Sequence, residues 1–187
     1  MTYRTSLTHP LRIDSIEYPS STGRIGLTLC PGKYQPDGKS GAWCRNLSLD
    51  LDRVRGWGAS HVLTLIEDHE FERLRVERLP EEVRARGMQW HHLPIVDRHP
   101  PDHRFEQQWP EIGPELHDIL INDGRILVHC MGGLGRAGTI ATTLLIEAGL
   151  NPKEAVSQVR EARRGAIETQ IQLDWLKRHA RRIRQVC

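Results

Sequence analysis

The stretch RILVHCMGGLGRAGTIATTLLIEAG, residues 125–149, carries the residues able to do chemistry. Cys130 and Arg136 enclose five residues there, three of them glycine. A cysteine closing a strand and an arginine opening a helix leave a short loop whose backbone N–H groups can converge on a tetrahedral anion. Gly132, Gly133 and Gly135 remove Cβ atoms that would obstruct positive φ values or close approach. Arg136 adds a planar fork that grips two phosphate oxygens together, which a lysine does not. The amides, the helix N-terminus and the guanidinium all favour the thiolate form of Cys130, the form that attacks phosphorus. On this reading Cys130 and Arg136 are catalytic. Met131, Gly132, Gly133, Leu134, Gly135 and Arg136 bind the phosphate. A buried, inert cysteine is the common fate of a cysteine ending a core strand, and the spacing to Arg136 argues against it here.

The same stretch also spells G-x-G-x-x-G at Gly133, Gly135 and Gly138. A dinucleotide fold needs a second strand after the helix, with an acidic residue at its tip about 20 positions on. That strand is missing. The helix after Gly138 runs into a second capped helix, and Glu161 lies there among arginines. An NAD-dependent oxidoreductase is therefore a distant alternative.

Thiolate attack expels a poor leaving group unless an acid protonates it, so a carboxylic acid must face the loop. Asp97 follows the apolar segment PIV and precedes the proline-rich loop RHPPDH, which can carry a carboxylate over a pocket. Asp102, in the same loop, is the alternative. His129 adjoins the cysteine, but strand alternation turns its side chain to the opposite face and leaves it a supporting role. His91, His92, His99 and His103 follow no common metal-site spacing, so neither a metal nor a cofactor is expected.

His129-Cys130-Met131-Gly132-Gly133-Leu134-Gly135-Arg136 resembles the H-C-x-x-G-x-G-R signature of cysteine-dependent protein tyrosine and dual-specificity phosphatases. Within them the chain is most similar to the cyclin-dependent-kinase-associated group, from roughly Gly26 to Leu176. The likeness includes His91-His92-Leu93-Pro94-Ile95-Val96-Asp97 and Gly165-Ala166-Ile167-Glu168-Thr169. The resemblance implies a phosphocysteine intermediate, Asp97 as general acid, and His129 orienting the loop and keeping the thiol ionised. It also suggests that Gln172 positions the attacking water, beside the plainer reading of Gln172 as a solvent-facing helix residue.

One position departs from the pattern. The family usually has Ser or Thr after the arginine, where the hydroxyl helps the thiolate leave, and this chain has Ala137. Phosphatases of the regenerating-liver type are similar in this respect. Thr139 should point elsewhere on the helix. Cysteine attack followed by slow hydrolysis of the intermediate is the expectation. Ala137 also keeps open a phosphoprotein-binding module that uses the cradle without turning over. A redox pairing of Cys44 with Cys130 would require their Cα atoms to be close, which sequence does not show.

Positioning these residues requires parallel strands with helical crossovers. Strands are expected around Arg24 to Leu29 and over residues 61–66, 89–96 and 125–130. Helices should follow Ser48, span the charged stretch from His69 to Gly87 with a break at Pro80, and lie within residues 104–122, kinked or delayed by Pro110 and Pro114. Three more should run to Ala148, from an Asn151 cap to about Arg163, and from about Thr169, the last placing Ile171, Trp175, Leu176 and Ile183 mainly on one face. The fold class is α/β, a mostly parallel sheet flanked by helices, with residues 1–20 as a loosely packed arm and 21–187 as the catalytic domain.

A chain of 187 residues with net charge +2 is one domain, too balanced in charge for nucleic acid. Four widely spaced cysteines without a C-x-x-C pair suit a reducing cytoplasm. The chain shows no apolar leader, no membrane-length run and no prenylation box at Val186-Cys187, so no membrane partner is expected. Met131 and Leu134 add no lysine for a highly charged inositol phosphate, which favours a phosphorylated protein as substrate.

Overall fold

The structure is a computed structural model and describes residues 2–186; Cys187 and the prenylation reading that involves it lie outside them. In chain order the elements begin with β1 (Asp14–Glu17), β2 (Arg24–Thr28), β3 (Tyr34–Gln35), β4 (Trp43–Cys44), α1 (Leu47–Gly56), β5 (His61–Thr64), α2 (Asp68–Leu74) and α3 (Leu79–Ala85). They continue with β6 (Gln89–His92), α4 (His103–Ile121), β7 (Arg125–His129), α5 (Gly135–Glu147), α6 (Pro152–Ala162) and α7 (Gln170–Val186).

The strand order is β1-β2-β7-β5-β6, and only β1 runs antiparallel to its neighbour. Strands buried on both faces must be covered on both faces. Alternation divides their side chains accordingly. Leu63, Leu65, Ile126 and Val128 join the core formed with α4, α5, α6 and α7. Val62, Ile66 and Leu127 join the core under α1, α2 and α3. Each fully buried aliphatic side chain stabilises the fold by roughly 1.5–3 kcal/mol. β7 is central, so the loop that follows it opens between both layers.

Several expectations are corrected by local chemistry. Asn46, not Ser48, caps α1, accepting the Leu49 N–H. Pro80 lies in the first turn of α3, where a missing N–H costs nothing, so it opens that helix instead of breaking one. α4 starts at His103 and continues through Pro110 and Pro114. Its buried stripe of Phe105, Trp109, Gly113, Leu116 and Leu120 outweighs the ~3 kcal/mol that an interior proline costs. On α7, Trp175 and Leu176 are buried, but Ile171 is exposed. The first 20 residues are not a loose arm. Residues 14–17 form the sheet edge, Leu11, Ile16 and Tyr18 are buried, and the Arg4 backbone pairs with Ala42 and Cys44 beside the β3–β4 hairpin.

Far from the cysteine loop, one carboxylate joins three helices. Glu147 at the end of α5 accepts from Trp109 and His117 of α4 and from His179 of α7, at 2.8–2.9 Å. Tyr18 extends the cluster through His117. Burial alone would raise the Glu147 pKa, but the hydrogen bonds from His117, His179 and Trp109 overcome it and hold the group at about 2. Between pH 4.5 and about 2 the unfolded chain binds this proton and the folded chain does not, so stability falls as pH falls through that window. The difference corresponds to roughly 3 kcal/mol. Glu147→Gln should lower stability at pH 7 and flatten the acid limb over the same window, as read by urea unfolding at a series of pH values.

Candidate active site

Cys130 follows the last residue of β7 directly, and Arg136 lies in the first turn of α5. The intervening loop is held from outside. The Met131 carbonyl accepts from the Cys30 N–H at 3.3 Å and from Lys33 Nζ at 3.2 Å. The Gly132 carbonyl accepts from Arg163 at 3.0 Å, and the Leu134 carbonyl from the Ile167 N–H at 3.3 Å. These carbonyls therefore face away from the pocket. Inside, the Gly133 N–H points at Cys130 Sγ, 3.2 Å away. Gly133 has φ +70°, and a Cβ there would lie 2.2 Å from the Thr28 carbonyl oxygen, so only glycine fits. Gly135 clears the side chains of Glu168 and Gln172. Gly132 differs: its φ is not positive and a Cβ would meet open space.

Arg136 is 1% exposed. Its Nη1 donates to Glu70 Oε2 at 2.6 Å and to the Ile95 carbonyl at 3.0 Å. Its Nη2 lies 3.0 Å from Glu70 Oε1 and 3.0 Å from Asp97 Oδ1. Nε is buried without a hydrogen-bond partner among the described residues. Burial opposes the guanidinium charge, and the Glu70 carboxylate more than restores it, raising the pKa above the ordinary arginine value. The reverse holds for Glu70, whose burial cost is outweighed by Arg136, lowering its pKa. The same Glu70 carboxylate accepts the Glu67 N–H and closes the capping box of α2.

Asp97 and Asp102 have separate settings. Asp97 reaches the Arg136 guanidinium and is 45% exposed. Asp102 caps α4 and pairs with Arg104. Burial acts to raise its pKa, but Arg104 prevails and lowers it. The segment beyond Asp97 is fastened from α7 and its approach: Thr169 donates to the Arg98 carbonyl at 3.1 Å and Gln172 to the His99 carbonyl at 3.2 Å. Gln172 is fully buried beside Gly135, so its plainer reading as a solvent-facing residue is overturned.

His129 is fully buried on the α1–α3 side of the sheet. Its Nε2 lies 2.8 Å from Thr64 Oγ1, its Nδ1 3.4 Å from the Cys130 carbonyl, and Trp90 Nε1 donates to the same Thr64 oxygen. Burial pushes its pKa down to about 4, so the ring is neutral at pH 7. A carbonyl only accepts, so the proton sits on Nδ1 and Thr64 donates to Nε2. The result is a relay of donors running from Trp90 to the backbone of Cys130. Met131 turns its side chain toward the core and lies 3.8 Å from Gln35 Nε2. Cys44 is exposed on β4, while Cys30 is the buried cysteine next to the loop backbone. Thr139 donates to the Gly135 carbonyl at 2.8 Å, and Ala137 is wholly buried in the core.

Glu70, Lys33, Arg163 and Glu168 escaped the sequence reading. The signal for Glu70 was Glu67-Asp68-His69-Glu70, a reciprocal cap straight after the strand beside β7. Glu168, which accepts the Gly135 N–H at 2.9 Å, lies in the segment already noted as a family likeness.

A parallel sheet whose central strand delivers a cysteine into an arginine-closed amide cradle is the architecture of an enzyme of phosphate esters. The family model of the Swiss Army Knife DSP-PTPase phosphatase domain matches residues 44–182. Cyclin-dependent kinase inhibitor 3 of Mus musculus is 32% identical over 154 residues, spanning 81% of this chain and 69% of that protein. A probable protein tyrosine phosphatase type IVA A of Dictyostelium discoideum is 30% identical over 144 residues, spanning 76% of this chain and 80% of that protein. The crystal structure of kinase-associated phosphatase carrying serine for its catalytic-site cysteine aligns with a TM-score of 0.82 at 27% identity, covering 94% of this chain and 97% of that one. The chain belongs to the cysteine-dependent protein tyrosine and dual-specificity phosphatase family.

Removing one member of a buried ion pair strands the other charge. Glu70→Ala should therefore lower unfolding free energy by about 3–5 kcal/mol in urea denaturation, far more than Glu168→Ala, whose partner is a single N–H.

Proposed function

We propose that the protein hydrolyses phosphate monoesters of phosphorylated proteins through a phosphocysteine on Cys130. The observation that carries this reading is the buried Nε of Arg136, without a partner among the described residues, beside a loop whose carbonyls are tied outward. That edge of the guanidinium and the Gly133 N–H, which points at Cys130 Sγ, form a site for a dianion. Nη1 is already committed to Glu70, Leu65 and Ile95, so the phosphate takes Nε and Nη2 and displaces Asp97 from Nη2.

In the first step the Cys130 thiolate attacks phosphorus, the P–O bond to the substrate breaks, and Asp97 donates its proton to the departing oxygen. In the second, water attacks phosphorus, Asp97 takes the water proton, and the P–S bond breaks to return the thiolate. The Asp97 contact with Arg136 supports this assignment over Asp102, whose carboxylate is engaged as a helix cap. His129 acts as a positioning residue through the Cys130 backbone, and Gln172 by holding the His99 carbonyl and flanking Gly135. Substrate class follows from the relatives, which are named as protein tyrosine phosphatases and as a kinase inhibitor. Phosphotyrosine is the primary substrate in this reading, with phosphoserine and phosphothreonine as further ones.

Ala137 favours a slow second step, because no hydroxyl at that position stabilises the departing thiolate and the Thr139 hydroxyl is spent on Gly135. A time course with an activated aryl phosphate and a metal chelator tests this. The native protein should give a burst of phenol followed by a low steady state, and Cys130→Ser should give neither. Ala137→Ser should raise the steady-state rate on the order of tenfold, the worth of one charge-assisted hydrogen bond, while leaving the burst amplitude unchanged. Asp97→Asn should slow the burst by about 10²–10⁴-fold, and less so for phenols that leave readily. Phosphoprotein binding with no cysteine-dependent release over hours would replace this reading with the binding module.

A further inference from the structure

At the opposite end of β5 from Leu65, whose carbonyl meets Arg136, two histidines and a glutamate converge from three elements. His61 opens β5, His91 lies on the adjacent strand β6, and Glu115 lies on α4. The register pairs Leu63 with His91, which places His61 and His91 diagonally on neighbouring strands and on the face covered by α4. Their rings stack at 5.3 Å with an interplanar angle of 12°. One donor atom from each of the three residues lies within 4.8 Å of the others.

The hydrogen bonding at this cluster is incomplete in a particular way. Ser60 Oγ lies 3.2 Å from the Arg125 carbonyl and 2.9 Å from His61 Nδ1, and His61 Nε2 faces Glu115 Oε1 at 3.2 Å. With the imidazole proton on Nδ1, toward Ser60, Nε2 presents a lone pair to the carboxylate, and a cation between the two satisfies both. Beside them, His91 Nε2 is buried and has no hydrogen-bond partner among the described residues.

We propose that His61 Nε2, His91 Nε2 and a Glu115 carboxylate oxygen bind a divalent transition-metal ion of the zinc type. Two imidazoles and one carboxylate with a fourth position open to water are a donor set that zinc takes tetrahedrally, at about 2.0–2.2 Å. Imidazole nitrogen selects zinc, copper and nickel over magnesium and calcium, which prefer oxygen. The hydrogen bond of His61 Nδ1 to Ser60 is the outer partner that fixes a ligating ring. Glu115 is half exposed, which gives the ion an entry path. The ion would clamp the edge strand β6 and its neighbour β5 to α4, the helix that Asp102 caps just beyond the Asp97 loop. The site was hidden in sequence because His61 and His91 are thirty positions apart and meet only through strand pairing.

The test uses the full chain carrying Cys130→Ser, which removes the thiolate of the catalytic loop as a competing ligand, after treatment with a chelator. Calorimetric titration with Zn²⁺ should show one ion per chain, and a large excess of Mg²⁺ should not compete. His91→Ala or His61→Ala should weaken binding by about 100-fold or more, because loss even of an outer partner costs 10–100-fold. Glu115→Gln alters an exposed carboxylate and should weaken binding about tenfold without disturbing the fold. Zn²⁺ should raise the melting temperature of the Cys130→Ser protein, and much less that of the Glu115→Gln derivative. Co²⁺ should give visible bands of nitrogen and oxygen ligation with no near-ultraviolet thiolate band. Binding that survives all three substitutions, a thiolate band, or no Zn²⁺ binding would overturn the proposal.

Discussion

The buried pair of Arg136 and Glu70 is the constraint around which the site is organised. A guanidinium 1% exposed cannot stand alone in so dry a place, and Glu70, itself 2% exposed, supplies the matching charge in a two-pronged contact. The same carboxylate closes the first turn of α2, so the start of that helix and the aim of the arginine are set together. Two further Nη1 contacts, to the Leu65 and Ile95 carbonyls, tie the arginine to the chain leaving β5 and to the chain leaving β6. The arginine thus reads the ends of neighbouring parallel strands, where α/β folds gather their ligands.

The loop itself obeys a different rule. Its shape is not held by glycine alone, since only Gly133 sits at positive φ against a neighbouring backbone. Lys33, Arg163 and two backbone amides hold its carbonyls outward. Lys33 is buried, and burial lowers its pKa to about 8. Arg163 also reaches Asp14 on β1, so the antiparallel edge strand takes part in fixing the loop.

The sheet, its parallel sense and the cysteine loop were legible because they rest on local signals: apolar runs, turn residues and the C-x5-R spacing. α6 was legible for the same reason, from Asn151 and Pro152 at its start. The supports were not legible. Glu70, Lys33 and Arg163 are distant in sequence from Cys130 and look like ordinary charges on helices or turns until the fold brings them against the loop and its arginine. β1 was missed because a four-residue strand with one exposed end carries little periodicity. The extent of α4 was legible from its apolar spacing, but not that it would start ahead of both prolines, a strong local argument that only the tertiary stripe of Phe105, Trp109 and Leu116 overrides.

Thr169 and Gln172 grip the backbone of Arg98 and His99, the residues just after Asp97. Arg98 has φ +61°, an uncommon conformation for a side-chain-bearing residue, and its carbonyl is one of the two held. The carboxylate over the pocket is therefore carried on a short tether whose far end belongs to the last helix of the chain. In the proposed mechanism the position of α7 therefore bears on the position of the acid, through two hydrogen bonds to the backbone that follows Asp97.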